Sequence, residues 1–371
     1  MMNVLMIEHF LPGNTYTYEL VKELQKFTSV DMLCKSNAGV RSEIKTQNCL
    51  LYPDGTNKFI APFVYAKSLM SLRSRVYSSD YDVIHVQTFK RASTEIPIYS
   101  SSRRKAALVH TVHNVFPHEA SEADKQLYKR FYDECDALIT HNEYSKKLLI
   151  EEFEIPNEKV TVIPHGIYGS VQNLTKETED GKTHFLMFGM IREYKGVDIL
   201  LKAIALIPKD IREQCVFTIA GRQYKNQHSV DYEKMAADLG ISDAVEFILE
   251  RIPDEDIPQL FSKADACLFP YKQIYGSGAL LMAYTYLKPV ITSDVPVFCE
   301  ETENGAAGLL FRSEDPRSLA NALVVFVEKK TDERRAYSRN IHSLVETKYN
   351  WKSSAQQTSQ LYKMIASKNL K

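Results

Sequence analysis

Short apolar runs alternate with amphipathic segments along almost the whole chain. Six aliphatic or β-branched runs in the first half are typical of buried parallel strands: Val4–Ile7, Val30–Leu33, Val83–Val86, Leu108–Val112, Leu138–Thr140 and Val160–Ile163. Four segments between them have the period of an amphipathic helix: Tyr16–Phe27, Phe63–Tyr77, Ala123–Asp133 and Glu143–Glu152. This order of strands and helices predicts a doubly wound α/β sheet with helices on both faces.

The alternation stops in the middle of the chain and then begins again. Residues 168–183 are polar and have no period, so we predict a linker there. Five strands are predicted after it: Phe185–Phe188, Val216–Ala220, Val245–Ile248, Ala266–Phe269 and Val290–Thr292. The helical patterns that follow these strands are Val197–Ile207, Tyr232–Leu239, Asp254–Ser262, Gly278–Leu287, Pro316–Glu328, Asp332–Thr347 and Trp351–Ser367.

We therefore predict two doubly wound Rossmann-like domains, one over residues 1–167 and one over residues 184–349. Residues 350–371 form a separate helical tail in this interpretation. In open sheets of this kind, ligands bind outside the carboxyl ends of the strands. We expect the two domains to face each other across a cleft, with the ligand site at those ends.

The composition indicates a globular protein without an extreme charge. Apolar residues make up 44% of the 371 positions and charged residues 25%, and the net charge of −1 gives no reason to expect nucleic acid as a partner. The amino terminus has no signal-peptide pattern, and no apolar run approaches the about 20 residues of a membrane span. We expect a cytoplasmic protein. Its six cysteines lack metal-ligand spacing and suit reduced thiols: Cys34, Cys49, Cys135, Cys215, Cys267 and Cys299.

The segment Gly276-Ser277-Gly278 lies between an apolar strand run and a helical pattern. A strand that ends in a glycine loop and turns into a helix leaves free backbone N–H groups at the positive end of the helix dipole. This arrangement predicts an anion site, most simply for phosphate, at the amides of residues 277–279. Tyr271, which follows the preceding strand, either lines such a pocket or packs in the core.

A second glycine loop, FGMIREYKG at residues 188–196, follows the first strand of the second half. Gly189 allows a tight exit from the strand, and Arg192 and Lys195 supply two cations. Taken alone, the loop could equally be a turn with a solvated basic pair. Because both loops follow strands of the same half, we predict that together they bind a diphosphate.

Histidines are concentrated near the end of one strand in the first half, at His110, His113 and His118. Beside Asn114 and Glu119, they suit either a role at a reacting sugar or phosphate or simple structural hydrogen bonding. Their spacing fits a metal site poorly, and we predict none. His165, in the sequence VIPHG at residues 162–166, fits a strand followed by a turn.

Three other charged segments are more easily explained by surface roles. The acidic run Asp254-Glu255-Asp256 precedes a helical pattern, where carboxylates cap the helix and complement its dipole. The basic runs Arg103-Arg104-Lys105 and Lys146-Lys147 are either solvated faces or contacts with an anionic membrane. A peripheral location at the inner face of the membrane therefore stays open.

The motifs together resemble the retaining glycosyltransferases of family 4, which have the two-domain GT-B fold. The matching segments extend over nearly the whole chain: HTVHN at 110–114, VIPHG at 162–166, FGMIREYKG at 188–196, ADACLFPY at 264–271, GSGALLMA at 276–283 and KPVITSD at 288–294. No single motif is decisive, but their order and spacing are specific. The resemblance implies a carboxy-terminal helix that crosses back onto the first domain.

The resemblance also implies a reaction: transfer of a hexosyl group from a UDP- or GDP-type sugar, with retained anomeric configuration and without a metal or other cofactor. The acceptor would be a saccharide or a lipid-linked saccharide. Lys195 would neutralise the diphosphate, which the amides of Ser277–Ala279 would bind. The donor-side residues in this view are Gly189, Arg192, Lys195, Tyr271, Gly276, Ser277, Gly278 and Ala279.

The acceptor would lie on the first domain in a protein of this family. His113 would be near the sugar in that arrangement, with His110 as the second choice. We assign four further residues to the acceptor side: Gly13, Asn114, His118 and Glu119.

Two departures from the family pattern affect the donor side. The family usually has an arginine directly after the glycine of the 188–196 loop, where this chain has Met190. Its paired glutamates, eight positions apart, are replaced by Ile274 and Met282. These glutamates would normally contact the sugar and the ribose.

The alternative hypothesis is therefore a catalytically silent subunit that binds a partner transferase. A nicotinamide oxidoreductase is disfavoured, because the first strand is followed by one glycine where a dinucleotide fingerprint needs three.

Overall fold

The computed structural model describes residues 2–10, 15–34, 44, 46–48, 57, 59–100, 104–116, 121–173, 180–223 and 230–369. The chain divides into two compact units. Unit 1 comprises residues 1–166 together with residues 348–371, and unit 2 comprises residues 167–347.

Unit 1 contains a parallel sheet of seven strands in the order β3-β2-β1-β4-β5-β6-β7. The strands are β1 (Asn3–Ile7), β2 (Ser29–Cys34), β3 (Thr46–Asn48), β4 (Val83–Val86), β5 (Ala107–Thr111), β6 (Ala137–Thr140) and β7 (Val160–Val162). The helices that connect them are α1 (Thr15–Leu24), α2 (Ala61–Val76), α3 (Ala92–Tyr99), α4 (Glu122–Glu134) and α5 (Glu143–Phe153). The strand order reverses between β1 and β4, which marks the switch point where such sheets bind ligands.

Unit 2 repeats this winding with six parallel strands in the order β10-β9-β8-β11-β12-β13. The strands are β8 (Thr183–Phe188), β9 (Cys215–Ala220), β10 (Val245–Ile248), β11 (Ala266–Phe269), β12 (Val290–Ser293) and β13 (Gly308–Phe311). The helices are α6 (Val197–Leu206), α7 (Lys209–Arg212), α8 (Tyr232–Asp238), α9 (Ile257–Lys263), α10 (Gly278–Thr285), α11 (Pro296–Glu301), α12 (Pro316–Glu328) and α13 (Thr331–Thr347). The switch point of this sheet lies between β8 and β11.

The last helix, α14 (Trp351–Asn369), packs on unit 1. Its apolar stripe of Trp351, Leu361 and Ile365 enters the core formed by β1, β2 and α1. The Ser354 hydroxyl, near the start of the helix, donates a hydrogen bond to the Pro164 carbonyl at 2.7 Å. The predicted return of the carboxy-terminal helix to the first half is therefore confirmed.

The elements that the sequence did not reveal are short or lack a clear apolar period. Strand β3 has the polar sequence TQN, and α3 has eight residues with a proline inside. Strand β13 has only four residues, GLLF, and was not predicted. Helix α9 begins at Ile257, three residues later than predicted, and Asp256 makes no side-chain capping bond.

The described ends of the segment predicted as a linker belong to unit 2. The amide of Gln172 donates to the Thr285 carbonyl at 2.8 Å, and the Tyr168 amide donates to the Thr285 hydroxyl at 3.2 Å. Residue 183 already belongs to β8. The central part of the predicted linker, residues 174–179, lies outside the described residues.

The described cysteines are free thiols, and all but one are buried. Cys34, Cys135, Cys215 and Cys267 lie in the interior, and Cys299 is half-buried. Burial raises the pKa of the Cys215 thiol to about 11 and that of Cys267 to about 12. These thiols therefore stay protonated near neutral pH and act as small apolar side chains.

Gly166 is required by the close approach of α14. A Cβ atom at this position would lie 2.6 Å from the indole ring of Trp351. We predict that Gly166→Ala lowers the free energy of unfolding of unit 1 by about 1–3 kcal/mol, because the ring cannot be displaced without disturbing the packing of α14. Trp351 is the only tryptophan, so urea unfolding followed by its fluorescence reports on unit 1.

Gly276→Ala is the matched control, since a Cβ there meets no atom within 4 Å. Its unfolding should stay within about 0.5 kcal/mol of the wild type. Equal midpoints for the Gly166→Ala variant and the wild type would contradict the proposed packing.

Candidate active site

Two loops meet at the switch point of unit 2. The first follows β8 and contains Gly189, which has a φ of +114°, a conformation that favours glycine. A Cβ atom on Gly189 would lie 3.1 Å from Lys195 Nζ and 3.7 Å from the Cβ of Ala279 in α10. Lys195 and the amino-terminal turn of α10 therefore both lie next to Gly189. The structure brings together the two loops that the sequence predicted to form one site.

The ammonium group of Lys195 is buried and has no carboxylate partner among the described residues. Its side chain lies 5.2 Å above the ring of Tyr271, a cation–π arrangement, and the residue is 8% exposed. Burial lowers the pKa of Lys195 below its usual value, the neighbouring Tyr194 opposes this change, and the Arg192 charge adds to it. A buried cation without a counter-ion favours binding of an anion.

Tyr271 is fixed by the loops on both sides of it. Its backbone carbonyl accepts a hydrogen bond from the Ser293 hydroxyl at 2.6 Å, and its ring meets Tyr194 edge-on at 5.9 Å. Burial raises the pKa of the phenol, and the nearby Ser277 hydroxyl opposes this shift. Within the described residues, no group meets the Tyr271 hydroxyl with good hydrogen-bond geometry. The ring packs in the core and also forms the surface under Lys195.

Helix α10 begins at the second loop, and backbone amides of its first turn have no intrahelical partner. Ser277 is the N-cap, and its hydroxyl accepts a hydrogen bond from the Leu280 amide at 3.2 Å. The amides of Gly278 and Ala279 come before the first intrahelical bond, which leaves them available to a ligand. The hydroxyl of Tyr168 lies against Gly278, in the space that a Cβ would fill. Tyr168 was predicted only as a linker residue, so the sequence missed its position at this helix end.

The other predicted donor-side residues are more exposed. Arg192 is exposed at the rim, and Met190, at the position of the family's arginine, is exposed as well. A Cβ atom on Gly276 would meet no other atom within 4 Å. Ile274 and Met282, at the positions of the family's glutamates, are both half-buried. This end of the site therefore has apolar side chains where acidic ones are usual in the family.

The carboxyl edge of the unit 1 sheet carries a cluster of imidazole rings around Tyr16. The ring centroid of Tyr16 lies 4.8 Å from that of His113, 4.9 Å from that of His141 and 4.8 Å from that of His165. Trp351 of α14 closes the cluster at 5.2 Å from Tyr16. The sequence indicated His113 as a site residue, but it did not reveal His141, whose neighbours along the chain carry no motif.

A chain of hydrogen bonds fixes the tautomers of this cluster when the rings are neutral. His141 Nδ1 faces the Ile163 carbonyl at 3.0 Å, so it carries the hydrogen, and its Nε2 accepts from His113 Nδ1 at 3.3 Å. His113 Nε2 is then an acceptor, and the Gln87 atom placed 3.1 Å from it is Oε1, which also accepts. This assignment requires the amide to present its NH₂ group, an orientation set by the hydrogen-bond network.

The neutral form of these rings is favoured by burial. Burial lowers the pKa of His141 to about 4 and that of His165 to about 3, with His141 adding to the effect on His165. The pKa of His113 falls well below its usual value, first through burial and then through the neighbouring histidines. At neutral pH the cluster therefore presents uncharged imidazoles at the sheet edge.

His110 is placed differently from His113. It is 5% exposed, its Nδ1 donates to the Val86 carbonyl at 2.8 Å, and its ring packs against Phe131 and Tyr132. This environment favours a structural role for His110. Asn114 is exposed beside His113. The predicted acceptor-side residues Gly13, His118 and Glu119 lie outside the described residues.

Two buried carboxylates support the switch point of unit 1. Glu8 follows β1 and accepts hydrogen bonds from the hydroxyls of Thr17 at 2.7 Å and Thr88 at 2.6 Å. Glu95 in α3 lies 2.9 Å from His9 Nε2 and accepts from the Tyr65 hydroxyl at 2.8 Å. Neither group was predicted from the sequence, because each depends on partners far away along the chain.

Neither a metal site nor a membrane span is found in the part of the chain that the structure describes. No group of three or more histidine, cysteine or carboxylate side chains there could hold a metal ion. None of the described helices is both long enough and apolar enough to cross a bilayer.

The fold and the candidate site define a class: a two-unit α/β protein with a buried lysine beside a helix amino terminus at one switch point. Comparison with known proteins gives the family. The model of the glycosyl transferases group 1 matches residues 172–343, and the model of glycosyltransferase family 4 matches residues 13–168. The chain belongs to the family-4 type of GT-B glycosyltransferases.

Similar proteins agree with this assignment. A D-inositol 3-phosphate glycosyltransferase of Corynebacterium aurimucosum is 24% identical over 311 residues, which is 78% of this chain and 73% of the relative. The crystal structure of HepE from Anabaena in complex with UDP and glucose has a TM-score of 0.74 at 18% identity, covering 98% of this chain and all of that one. Sucrose-phosphate synthase from Thermosynechococcus elongatus also has a TM-score of 0.74, at 19% identity, covering 99% of this chain and all of its own.

The neutral histidines predict an acid-sensitive unit 1. Their folded pKa values lie below the unfolded value of about 6.5, so the unfolded state binds more protons once the pH falls below that value. Stability is therefore retained above pH 6.5 and lost as the pH falls towards 4, by about 1.4 kcal/mol per pH unit for each histidine that stays neutral. Urea unfolding at pH 7.5, 6.5 and 5.5, followed by Trp351 fluorescence, measures this slope.

His141→Asn should reduce the slope, because an asparagine amide can still donate to the Ile163 carbonyl but does not titrate. His342→Gln on α13 is the control, since His342 is exposed and lies in unit 2. A slope that is the same for the wild type and His141→Asn would show that His141 does not stay neutral in the folded state.

Proposed function

We propose that the protein transfers a hexosyl group from a UDP- or GDP-sugar to a saccharide or lipid-linked acceptor, with retention of anomeric configuration and without a metal ion. The single observation that carries this proposal is the buried ammonium of Lys195, which lies beside the amino-terminal end of α10 and has no carboxylate partner in the described part of the chain. The negative charge of a nucleotide diphosphate would neutralise this ammonium group. The crystal structures of HepE with UDP and with UDP-glucose support a UDP-type donor.

The electrostatics suit departure of a diphosphate. When the bond between sugar and phosphate breaks, negative charge develops on the leaving diphosphate. A cation and N–H donors that are already in position stabilise that charge more than they stabilise the bound donor, and this difference accelerates the reaction. Lys195 supplies the cation, and the amides of Gly278 and Ala279 supply the donors. Because Lys195 and these amides stabilise the negative charge of the leaving diphosphate, the reaction needs no metal ion.

The acceptor would bind at the carboxyl edge of the unit 1 sheet, near His113. A neutral imidazole can accept a hydrogen bond from a sugar hydroxyl, or donate one, without placing a cation at the reacting centre. We propose that the chain His141–His113–Gln87 holds the His113 ring in a single orientation for this contact. The product would belong to a cell-surface polysaccharide or glycolipid, made at the cytoplasmic face of a membrane.

A second candidate function is a silent subunit that stabilises a partner transferase. It is favoured by one observation, the apolar residues Ile274 and Met282 where the family has acidic ones. A subunit of this kind would keep the GT-B fold but would have no use for a nucleotide sugar.

Donor binding distinguishes the two functions. We predict that isothermal titration calorimetry detects binding of either UDP- or GDP-sugars, and that a turnover screen with UDP-, GDP- and dTDP-sugars finds hydrolysis or transfer of one of them. The presence of EDTA should not change the rate. Absence of heat with all of these nucleotides would favour the silent subunit.

Removal of the buried charge should slow turnover strongly. For Lys195→Met we expect kcat to fall by about 10²–10³-fold, the typical effect of losing one preorganised group at a developing charge. Lys195→Ala combined with Arg192→Ala should leave no measurable transfer. Lys202→Met on α6 is the control, because Lys202 is half-exposed and forms an ion pair with Asp198. Wild-type transfer by the double variant would contradict the site.

A further inference from the structure

A histidine and a buried carboxylate form a pair at the switch point of unit 1. His9 follows β1, and its Nε2 lies 2.9 Å from a carboxylate oxygen of Glu95 in α3. The Glu95 side chain has no exposed surface, and that of His9 is 7% exposed. The strand order reverses beside β1, and open sheets bind ligands at such a point. The pair therefore occupies a ligand-binding position of the fold, outside the histidine cluster around Tyr16.

The groups around Glu95 keep its carboxylate ionised. The Tyr65 hydroxyl donates to it at 2.8 Å, the Arg91 amide at 2.9 Å and the Lys90 amide at 3.3 Å. Burial alone would raise the pKa of Glu95, but the hydrogen bonds from His9, Arg91 and Tyr65 bring it below its usual value. A buried charge is costly unless several donors stabilise it, and here the protein itself supplies them.

The charge of Glu95 determines which nitrogen of His9 carries the hydrogen. An ionised carboxylate only accepts hydrogen bonds, so a bare Nε2 at 2.9 Å would place two lone pairs against each other. Nε2 therefore carries the hydrogen, although its N–H is not aimed squarely at the oxygen. We assign this tautomer from the surrounding partners. In the neutral ring, the other nitrogen, Nδ1, is then a bare acceptor.

The Nδ1 atom of His9 has no hydrogen-bond partner among the described residues. The rings of His113 and His141 at the same edge differ in this respect, because both nitrogens of each have a neighbour within hydrogen-bond distance. A purely structural histidine would be paired in the same way. A metal ion is disfavoured too, since no third ligand completes a site in the described part of the chain. The open nitrogen indicates a contact with an organic ligand.

The backbone on both sides of His9 is also fixed. The His9 amide donates to the Thr88 hydroxyl at 3.0 Å, and the Phe10 amide donates to the Glu8 carboxylate at 2.8 Å. Glu8 accepts from the Thr88 hydroxyl as well, at 2.6 Å, so it connects the end of β1 to the end of β4. One buried carboxylate thus fixes the backbone at His9, and the other fixes its ring. Such preorganisation suits a group that meets its ligand in a single geometry.

The surroundings of His9 suit a saccharide. Phe10 is 50% exposed, and an exposed aromatic ring can pack against the C–H face of a sugar. His113 follows β5, two strands away from β1 at the same edge, which is about 10 Å by strand spacing. The hydroxyl groups of a saccharide donate hydrogen bonds, and a bare imidazole nitrogen accepts them.

We propose that His9 binds the reacting hydroxyl of the saccharide acceptor through Nδ1, and that Glu95 is the positioning residue that keeps this nitrogen bare. The hydroxyl donates its hydrogen to Nδ1, which directs the oxygen lone pairs away from the ring and increases the electron density on the oxygen. This inference rests on the proposed function, because it assigns the acceptor contact of the same reaction.

Nitrogen NMR tests the tautomer independently of activity. In protein labelled with nitrogen-15 histidine, the His9 signals are those that disappear in His9→Phe. At pH 7.5 we expect the hydrogen on Nε2 and a bare Nδ1 in the wild type. In Glu95→Gln the amide can present its NH₂ group to Nε2, so the hydrogen should move at least partly to Nδ1. A hydrogen on Nδ1 of the wild type, in a neutral or a charged ring, would overturn the proposal.

The division of the donor sugar between water and a saccharide separates this contact from the donor site. The nucleotide sugar that the wild type turns over is supplied with octyl glucoside, octyl galactoside or octyl mannoside, and mass spectrometry measures both hydrolysis and transfer. For His9→Phe we expect transfer to fall about tenfold or more, the effect of losing one hydrogen bond to a group supported by a charge, and hydrolysis to stay within about twofold. Glu95→Gln should also lower transfer while leaving hydrolysis unchanged.

The matched control is His184→Phe. His184 Nε2 lies 3.0 Å from an Asp180 carboxylate oxygen, so the same two kinds of group are paired, but near the amino end of β8 in unit 2. Transfer and hydrolysis by this variant should both equal those of the wild type. Urea unfolding followed by circular dichroism shows whether each variant is folded.

The outcomes distinguish this proposal from the proposed function. Transfer at the wild-type rate by folded His9→Phe would overturn the proposal and leave the donor site unaffected. An equal loss of transfer and hydrolysis would overturn it as well, because the effect would then lie on the donor side. If the wild type consumes no nucleotide sugar, the proposed function fails, and titration of the labelled protein with the same three glycosides decides. A shift of the His9 Nδ1 signal supports the contact, and no shift with any of them overturns it.

Discussion

The constraint on which the unit 2 site depends is a buried ammonium group that has no carboxylate partner among the residues the structure describes. Lys195 is carried by the loop after β8, faces the ring of Tyr271, and lies beside the amides at the start of α10. Each of these groups comes from a different place in the chain, and the switch point between β8 and β11 brings them together. Burial of the cation is unfavourable for the empty protein and favourable once an anion is bound. The site is thus organised before its ligand arrives.

In unit 1, by contrast, the histidine cluster at the carboxyl edge of the sheet is uncharged at neutral pH. His113, His141 and His165 come from the ends of three neighbouring strands and share one aromatic partner, Tyr16. Protonation of His141 would place two N–H groups face to face between His141 and His113. A single hydrogen-bond chain therefore couples the charge of each ring to the orientation of the next. One unit presents a cation and the other presents neutral imidazoles.

The sequence was informative wherever the local pattern and the local chemistry agreed. The strands with continuous apolar runs, such as β4 and β11, were predicted within a residue or two of their ends, and so was the loop that carries Lys195. Short elements without a clear period, such as β3 and α3, were missed because they are stabilised by neighbours and not by their own pattern. The positions of Tyr168 and His141 in the two sites could not be predicted for the same reason. Each is defined by contacts with residues distant along the chain, which one sequence does not display.

The return of α14 to unit 1 has a consequence for how the protein is made. Unit 2 is continuous along the chain, whereas unit 1 is assembled from its first 166 residues and its last 24. During synthesis on the ribosome, the first segment emerges early, but the apolar surface that Trp351, Leu361 and Ile365 later cover stays open until α14 has been translated. Unit 1 can therefore be completed only after unit 2 has been translated, and a nascent chain must keep that surface from aggregation throughout the interval.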